Sequence, residues 1–225
     1  MTAVTGPPAA LRVFPLTGCI LLPGNWLPLH IFEPRYRAMV RDALATDRWI
    51  GMIQPRMPAP DNFGPPEGQA EDPELHAVGC AGTIQHCLKE TDGRFHILLK
   101  GVSRFRLLRE MHKQEGYRWF QVAYDAYAAD HAEPQCALDS CRILRAMEVL
   151  RQSHSLAIDP DDFKGLTGIA VLNGLSAALP FAPAEKQALL EATTPEERER
   201  LLLALMAMGF QQGAGTRCTP PFTIH

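Results

Sequence analysis

Apolar and polar residues alternate through most of the first 130 residues, and a period of two is typical of β-strands with one buried face. The pattern predicts six strands, over residues 11–14, 27–32, 49–53, 77–88, 95–108 and 117–127. Asp92 and Gly93 separate the fourth strand from the fifth and indicate a hairpin turn, so these two strands are expected to be antiparallel neighbours. Long antiparallel strands with a bend at Gly101 favour an open barrel.

Alternation within the fifth predicted strand assigns its side chains to two faces. The core face is predicted to carry Phe95, Ile97, Leu99, Phe105 and Leu107. The solvent face is predicted to carry Lys100, Arg104 and Arg106, which with Arg109 form a short basic stripe.

A period near 3.6 residues replaces the alternation in five segments. One predicted helix, residues 34–45, interrupts the strands, and four more follow at residues 138–151, 165–179, 183–192 and 195–208. The last of these begins at a capping box, Thr194-Pro195-Glu196-Glu197. Its second half, residues 201–208, is apolar on nearly every face, so we expect other helices to wrap it; the alternative is a docking partner.

The segment 21–37, LLPGNWLPLHIFEPRYR, joins a strand, a turn and a helix start. It resembles the opening of the N-terminal, substrate-binding domain of Lon proteases. Further matching pieces are Phe14-Pro15-Leu16, Gly51-Met52, Val78-Gly79, the run GVSRFR at 101–106, residues 185–191 and Glu197-Arg198.

The resemblance implies an α+β fold: a PUA-like β pseudo-barrel with one embedded helix, followed by a C-terminal α-helical bundle. We expect the pseudo-barrel to span residues 1–130 and the bundle residues 131–225. The family's ATPase and peptidase modules are expected to be absent, since the chain stops at His225 and no GxxxxGK[ST] phosphate-binding loop occurs. A free-standing, non-catalytic domain that binds unfolded or degron-bearing polypeptides is therefore the leading interpretation.

Structural roles account for the conspicuous residues of the family motifs, and no catalytic residue is predicted. Pro34 suits the first position of a helix, and Glu33 places negative charge beside that helix N-terminus. Arg35 is expected to pair with a nearby carboxylate, and Tyr36 to begin the buried helical stripe. The motif residues assigned structural roles are Pro23, Gly24, Glu33, Pro34, Arg35, Tyr36, Arg104 and Phe105.

Three residues are candidates for contact with a polypeptide. Phe63 is the aromatic residue of a proline-rich and glycine-rich stretch, residues 54–75, which is predicted to be a long loop. A solvated insertion is the favoured interpretation of this loop, and a contact arm is the alternative. Leu203 and Met206 belong to the apolar last helix and mark any face that other helices leave uncovered.

Composition argues against several other classes of protein. The chain has 22 basic and 25 acidic residues, a balance that argues against nucleic acid as a partner. No apolar run approaches the length of a membrane span, and six cysteines without a secretory signal fit reduced thiols in a cytoplasmic protein. The cysteines are spaced too far apart for a local metal site. The histidines are scattered, with His30 expected to be a partly buried strand residue, and specify no catalytic triad, so neither a metal site nor a cofactor is predicted.

Two alternative functions stay open from the sequence. One is RNA binding through the barrel, because PUA-like domains bind RNA elsewhere and a basic stripe is predicted on the fifth strand. The other is an unrecognised hydrolase whose residues converge only in space.

Overall fold

The computed structural model describes residues 6–57, 72–114, 116–131, 138, 140–153, 163 and 165–209. The strands are β1 (Ala10–Pro15), β2 (Trp26–Ile31), β3 (Trp49–Pro55), β4 (Leu75–Lys89), β5 (Phe95–Gln114) and β6 (Tyr117–Ala123). The helices are α1 (Pro34–Ala45), α2 (Ser140–Ser153), α3 (Gly168–Ala178), α4 (Pro183–Glu191) and α5 (Pro195–Met208). A 3₁₀ segment, Asp125–His131, follows β6.

The six predicted strands and five predicted helices are all present, and α1 and α5 have the predicted bounds. The prediction for the sixth strand was wrong at its end, since β6 stops at Ala123 instead of continuing to Tyr127. Pairing with β5 ends where Ala123 lies opposite Arg106. Beyond that point the chain turns, with the Tyr127 amide donating to the Tyr124 carbonyl.

The strands form one sheet in the order β2-β5-β4-β3-β1-β6, and an additional β5–β6 pairing closes five of them into a ring. β1 and β3 are parallel, and the other pairs are antiparallel. The predicted β4–β5 hairpin is confirmed. Its turn is closed by a 3.0 Å hydrogen bond from the Gly93 amide to the Glu90 carbonyl, with Gly93 at a φ of 85°.

In the part of the chain that the structure describes, the buried apolar side chains form two clusters. The smaller cluster takes residues from each of the five ring strands and none from β2 or the helices, so it lies inside the ring. The larger cluster joins the outer face of the sheet to the helices: it contains Phe14 and Leu99 from strands, Met39 from α1, and Leu172 and Leu202 from α3 and α5.

A bulge in β5 overturns the predicted assignment of its side chains to two faces. Ser103 pairs with Ala81, but the next pair along the ladder is Gly101 with Gly82, so Val102 is the extra residue. Leu99 therefore belongs to the larger cluster and Phe105 to the smaller one. Arg104, which was predicted to face solvent, is 2% exposed, whereas Arg106 is exposed.

Helix α5 contacts α2, α3 and α4. Its side chains Leu202, Leu205 and Met206 are buried as a result, while Leu203 is half-buried. At its start, the Thr194 hydroxyl accepts a 3.2 Å hydrogen bond from the Glu197 amide. The Glu197 carboxylate accepts a hydrogen bond from the Thr193 amide, whereas in a capping box it would accept from the amide of the N-cap residue, Thr194.

Candidate functional site

Pro23, Gly24 and Asn25 form the turn before β2 and lie against the bulged part of β5. The Gly24 amide donates to the Gly101 carbonyl at 3.0 Å, and the Gly101 amide donates to the Asn25 carbonyl at 2.8 Å. Gly24 has a φ of 82°, and a Cβ on Gly101 would collide with the Leu22 carbonyl. The turn therefore needs glycine at both positions.

Asn173 of α3 ties this turn to the helices. Its side-chain amide donates to the Pro23 carbonyl at 3.0 Å, and its backbone carbonyl accepts from the Asn25 side chain at 2.8 Å. Its side-chain oxygen accepts a 2.6 Å hydrogen bond from Nη1 of Arg198 on α5. One buried asparagine thus connects the motif turn, α3 and α5.

Arg104 makes a second connection between sheet and helices. Its Nη2 lies 2.8 Å from Oδ1 of Asp130 in the 3₁₀ segment, and both side chains are buried. Its Nη1 donates to the carbonyls of Leu190, at 3.1 Å, and Ala192, at the C-terminal end of α4. Cations are favourable at that end of a helix, so Arg104 satisfies carbonyls that the helix itself leaves unpaired.

Arg198 approaches the same end of α4, with Nε donating to the Leu189 carbonyl at 2.9 Å. Burial and, after it, the charge of Arg104 lower the pKa of Arg198 to about 10, while Asp130 opposes the shift. Both guanidinium groups donate to the C-terminal end of α4, at the joint between the sheet and the helices.

A cleft of about 500 Å³ opens beside this joint, between the sheet and the helices. Its wall includes the motif turn, Lys100 and Arg104 of β5, and Asn173 and Arg198 of the helices. Because Arg104 and Arg198 already donate to carboxylate, amide and carbonyl oxygens, their contacts explain how the two sets of elements are held together.

The other motif residues surround the start of α1. Glu33 is the N-cap residue and Pro34 the first helical residue. The Glu33 carboxylate and Nη2 of Arg35 are 2.9 Å apart, and the Arg35 guanidinium lies 4.5 Å from the centre of the Tyr36 ring. Tyr36 is 6% exposed and meets the Phe14 ring edge-on; its burial raises the pKa of the phenol to about 12. These contacts are all local to the start of α1 and β1.

Leu203 and Met206 line an apolar groove of about 370 Å³ between α2 and α5. The groove residues are Ala146, Val149, Leu150, Leu203, Met206, Ala207, Met208 and Gly209. Val149 and Met208 are 66% and 78% exposed, so the groove is open to solvent. The third binding candidate, Phe63, lies outside the described residues.

The sequence predicted binding residues on the α5 side of this groove and none on the α2 side. A signal was available, because residues 146, 149 and 150 follow the same i, i+3, i+4 spacing as residues 203, 206 and 207. Which helices face each other depends on tertiary packing, and that spacing does not encode it.

The structure also brings together residues that the sequence analysis treated as scattered. His30 was expected to be partly buried, but it is exposed and its ring stacks on that of His96, with centroids 4.5 Å apart. Glu90 completes a group whose candidate ligand atoms all lie within 4.8 Å of one another. His30 and His96 are 66 residues apart in sequence, and the pairing of β2 with β5 brings them together.

The basic stripe that supported RNA binding is interrupted. Arg104 is buried against Asp130, and the Lys100 ammonium lies 5.4 Å from the centre of the Trp26 ring. A hydrolytic thiol is equally disfavoured at Cys80, since burial raises the pKa of this thiol and keeps it protonated.

Among the helices of the described residues, none is both long enough and apolar enough to cross a membrane.

Comparison with known proteins points to one family. The model of the ATP-dependent protease La (LON) substrate-binding domain matches residues 10–208. The Lon protease of Anaeromyxobacter dehalogenans (strain 2CP-C) is 26% identical over 206 residues, which cover 88% of this chain and 23% of that protein. The chain thus spans about a quarter of the length of this curated relative.

Two solved structures share the fold. A Lon N-terminal domain protein from Xanthomonas campestris matches with a TM-score of 0.58 and 24% identity. The N-terminal domain of a Mycobacterium avium complex Lon protease matches with a TM-score of 0.62 and 18% identity. Each match covers 88% of this chain and 98% of the other chain. With the family model spanning residues 10–208, this chain belongs to the Lon substrate-binding domain family.

Proposed function

We propose that this protein recognises polypeptides without cutting them, and that the groove between α2 and α5 accepts an apolar segment of an unfolded or degron-bearing chain. The observation that carries the proposal is an open groove whose lining side chains are all apolar. Its volume, about 370 Å³, falls within the range of about 300–1,000 Å³ that is usual for ligand sites.

The character of the lining fits a binder of many sequences. Met206 and Met208 are flexible and polarisable, and methionine-rich surfaces repack around different partners. Ala146, Ala207 and Gly209 are small and leave room for side chains of the bound segment. Unfolded polypeptides expose the apolar side chains that folded proteins bury, so they are the occupant that such a groove selects.

Family membership supports the same function. The matching model is described as a substrate-binding domain, and the relatives are named as Lon proteases. We infer a recognition role for this chain from that description, and we assign it no peptidase or ATPase activity, since the matching model describes neither.

Several finer features belong to this proposal. The five-stranded ring with β2 at its edge supports a PUA-like pseudo-barrel, and the contacts among α2, α3, α4 and α5 support a C-terminal bundle. The boundary between residues 1–130 and 131–225 stays a prediction, as does a cytoplasmic location.

Equilibrium binding to a permanently unfolded protein tests the proposal. A reduced and alkylated model protein, labelled with a fluorophore, is titrated with the full chain and followed by fluorescence anisotropy. The same model protein in its native, disulfide-bonded form serves as the folded competitor. We expect the unfolded form to bind and the folded form to compete at least tenfold more weakly.

A matched pair of variants tests the location. Val149→Lys puts a charge in the groove, and lysine is tolerated near the C-terminal end of a helix. Leu88→Lys changes a β4 side chain of the same 66% exposure outside the groove. Val149→Lys should weaken binding at least tenfold while Leu88→Lys leaves it unchanged, with thermal unfolding confirming that both variants fold. Equal affinities for the two variants would remove the groove from the proposal, and no preference for the unfolded form would remove the function.

A further inference from the structure

His30 and His96 are a cross-strand pair on the solvent face of the sheet. They lie opposite each other in the antiparallel β2–β5 ladder. Their neighbours Leu29, Ile31 and Phe95 are buried, so alternation directs both imidazoles outward. The two rings are nearly parallel, with an interplanar angle of 9° and centroids 4.5 Å apart. Two regular strands therefore hold the imidazoles side by side.

Glu90 reaches the same place from the β4–β5 turn. The turn is fixed by hydrogen bonds from the Glu90 amide to the Arg94 carbonyl, at 2.9 Å, and from the Gly93 amide to the Glu90 carbonyl. The Glu90 Oε1 lies 2.7 Å from Nε2 of His96. Because this turn joins β4 directly to β5, it fixes the backbone of Glu90 relative to His96, six residues further along the chain.

We propose that His30, His96 and Glu90 form a binding site for a divalent transition metal, with Zn²⁺ as the best match. Imidazole nitrogen and carboxylate oxygen are ligands that Zn²⁺ accepts, whereas Ca²⁺ and Mg²⁺ take oxygen ligands. Zn–N and Zn–O bonds measure about 2.0–2.2 Å, so two donors of a tetrahedral ion lie about 3.4 Å apart. The candidate donor atoms lie within 4.8 Å of one another, and the two exposed imidazoles must rotate out of their stacked, near-parallel arrangement for their in-plane lone pairs to converge on one ion.

Two apolar side chains lie beside the donors. Leu88 lies opposite His96 in the β4–β5 ladder, and the Phe32 ring lies 6.0 Å from that of His30. Both are exposed, so an ion from solvent reaches the three donors freely. Three protein ligands leave one position of a tetrahedral ion open, to water or to a donor from a bound molecule.

None of the three residues lines the groove between α2 and α5, so the proposal is independent of polypeptide binding and the two can fail separately.

Calorimetric titration of the metal-free protein tests the site. The full chain is prepared without a histidine tag and treated with a chelator, in a Cys141→Ser background because an exposed thiol is a competing type of Zn²⁺ ligand. Zinc chloride is the titrant and magnesium chloride the control. We expect one Zn²⁺ per chain and no saturable Mg²⁺ binding.

Ligand variants locate the ion. His30→Ala and His96→Ala should each weaken Zn²⁺ binding by more than about tenfold, since losing even an outer partner of a metal ligand costs about 10–100-fold. Glu90→Gln should weaken it in the same direction. His86→Ala, which removes an exposed histidine of β4 outside the site, should leave Zn²⁺ binding unchanged. Imidazole NMR signals of His30 and His96 should shift on titration in the parent protein. Absent Zn²⁺ binding, or binding that survives His30→Ala and His96→Ala, would overturn the site.

Discussion

Arg104 donates hydrogen bonds to several acceptors where the sheet meets the helices. Its guanidinium donates to Asp130 and to the carbonyls of Leu190 and Ala192, and it lies 4.2 Å from the centre of the Tyr127 ring. Asp130 is itself only 7% exposed, so its carboxylate is left largely buried when its partner is removed. The pair connects β5 to the end of α4, so its loss should weaken the packing of the helices on the sheet.

Arg104→Met keeps most of the side-chain volume and removes the charge. It should lower the free energy of unfolding by ~3–5 kcal/mol, because a buried carboxylate is left uncompensated. Arg106→Met, at an exposed position two residues further along β5, should change it by no more than about 0.5 kcal/mol. Chemical denaturation of both variants checks this. Equal stabilities for the two would contradict the account of the joint.

At the scale of elements, α5 depends on its N-terminal cap. The Thr194 hydroxyl accepts from the Glu197 amide, and the Glu197 carboxylate accepts from both the amide and the hydroxyl of Thr193. Those hydrogen bonds from Thr193 lower the pKa of the Glu197 carboxyl. Since α5 contacts three other helices, a frayed start would loosen the packing around it.

Thr194→Ala removes this cap and should destabilise the protein by ~1 kcal/mol. Thr46→Ala is an unsuitable control, because the Thr46 hydroxyl accepts from Arg12. Ser or Asn at position 194 supplies the missing acceptor and should restore stability. Thermal unfolding of the three variants provides the measurement. Ser and Asn need not restore stability to the same extent for the cap to be supported. An unchanged stability in Thr194→Ala would show that the start of α5 does not need the cap.

Element positions followed from the sequence because their signals are local. Pro34 and Pro195 fixed the starts of α1 and α5, and Asp92-Gly93 fixed the β4–β5 turn. Burial of Arg104 was missed because a single extra residue, Val102, moves side chains to the other face. The His30–His96 pair and the α2 side of the groove were missed because they depend on register and packing between distant segments.

At the scale of the whole molecule, one hydrophobic cluster spans the strands and the helices. Asn173 and Arg104 add polar connections across the same boundary. Shared burial makes the two sets of elements depend on each other, although the chain changes from mainly strand to helix after the 3₁₀ segment. We therefore expect a single cooperative unfolding transition.

Two spectroscopic probes separate the parts. All three tryptophans lie in strands, at positions 26, 49 and 119, so their fluorescence reports the sheet. Most helical residues lie in α2–α5, so far-ultraviolet circular dichroism reports mainly the helices. The two denaturation curves should coincide. A helical signal lost at lower denaturant would mean that the helices unfold as a separate unit.

The proposed binding site for an unfolded polypeptide is the groove between α2 and α5. Site-specific photocrosslinking tests it most directly, with a diazirine amino acid at Val149 in the groove or at Leu88, which has the same 66% exposure outside it. A reduced and alkylated protein should crosslink strongly from position 149 and at background level from position 88, and its native form from neither. Equal crosslinking from both positions, or crosslinking only from position 88, would contradict the account.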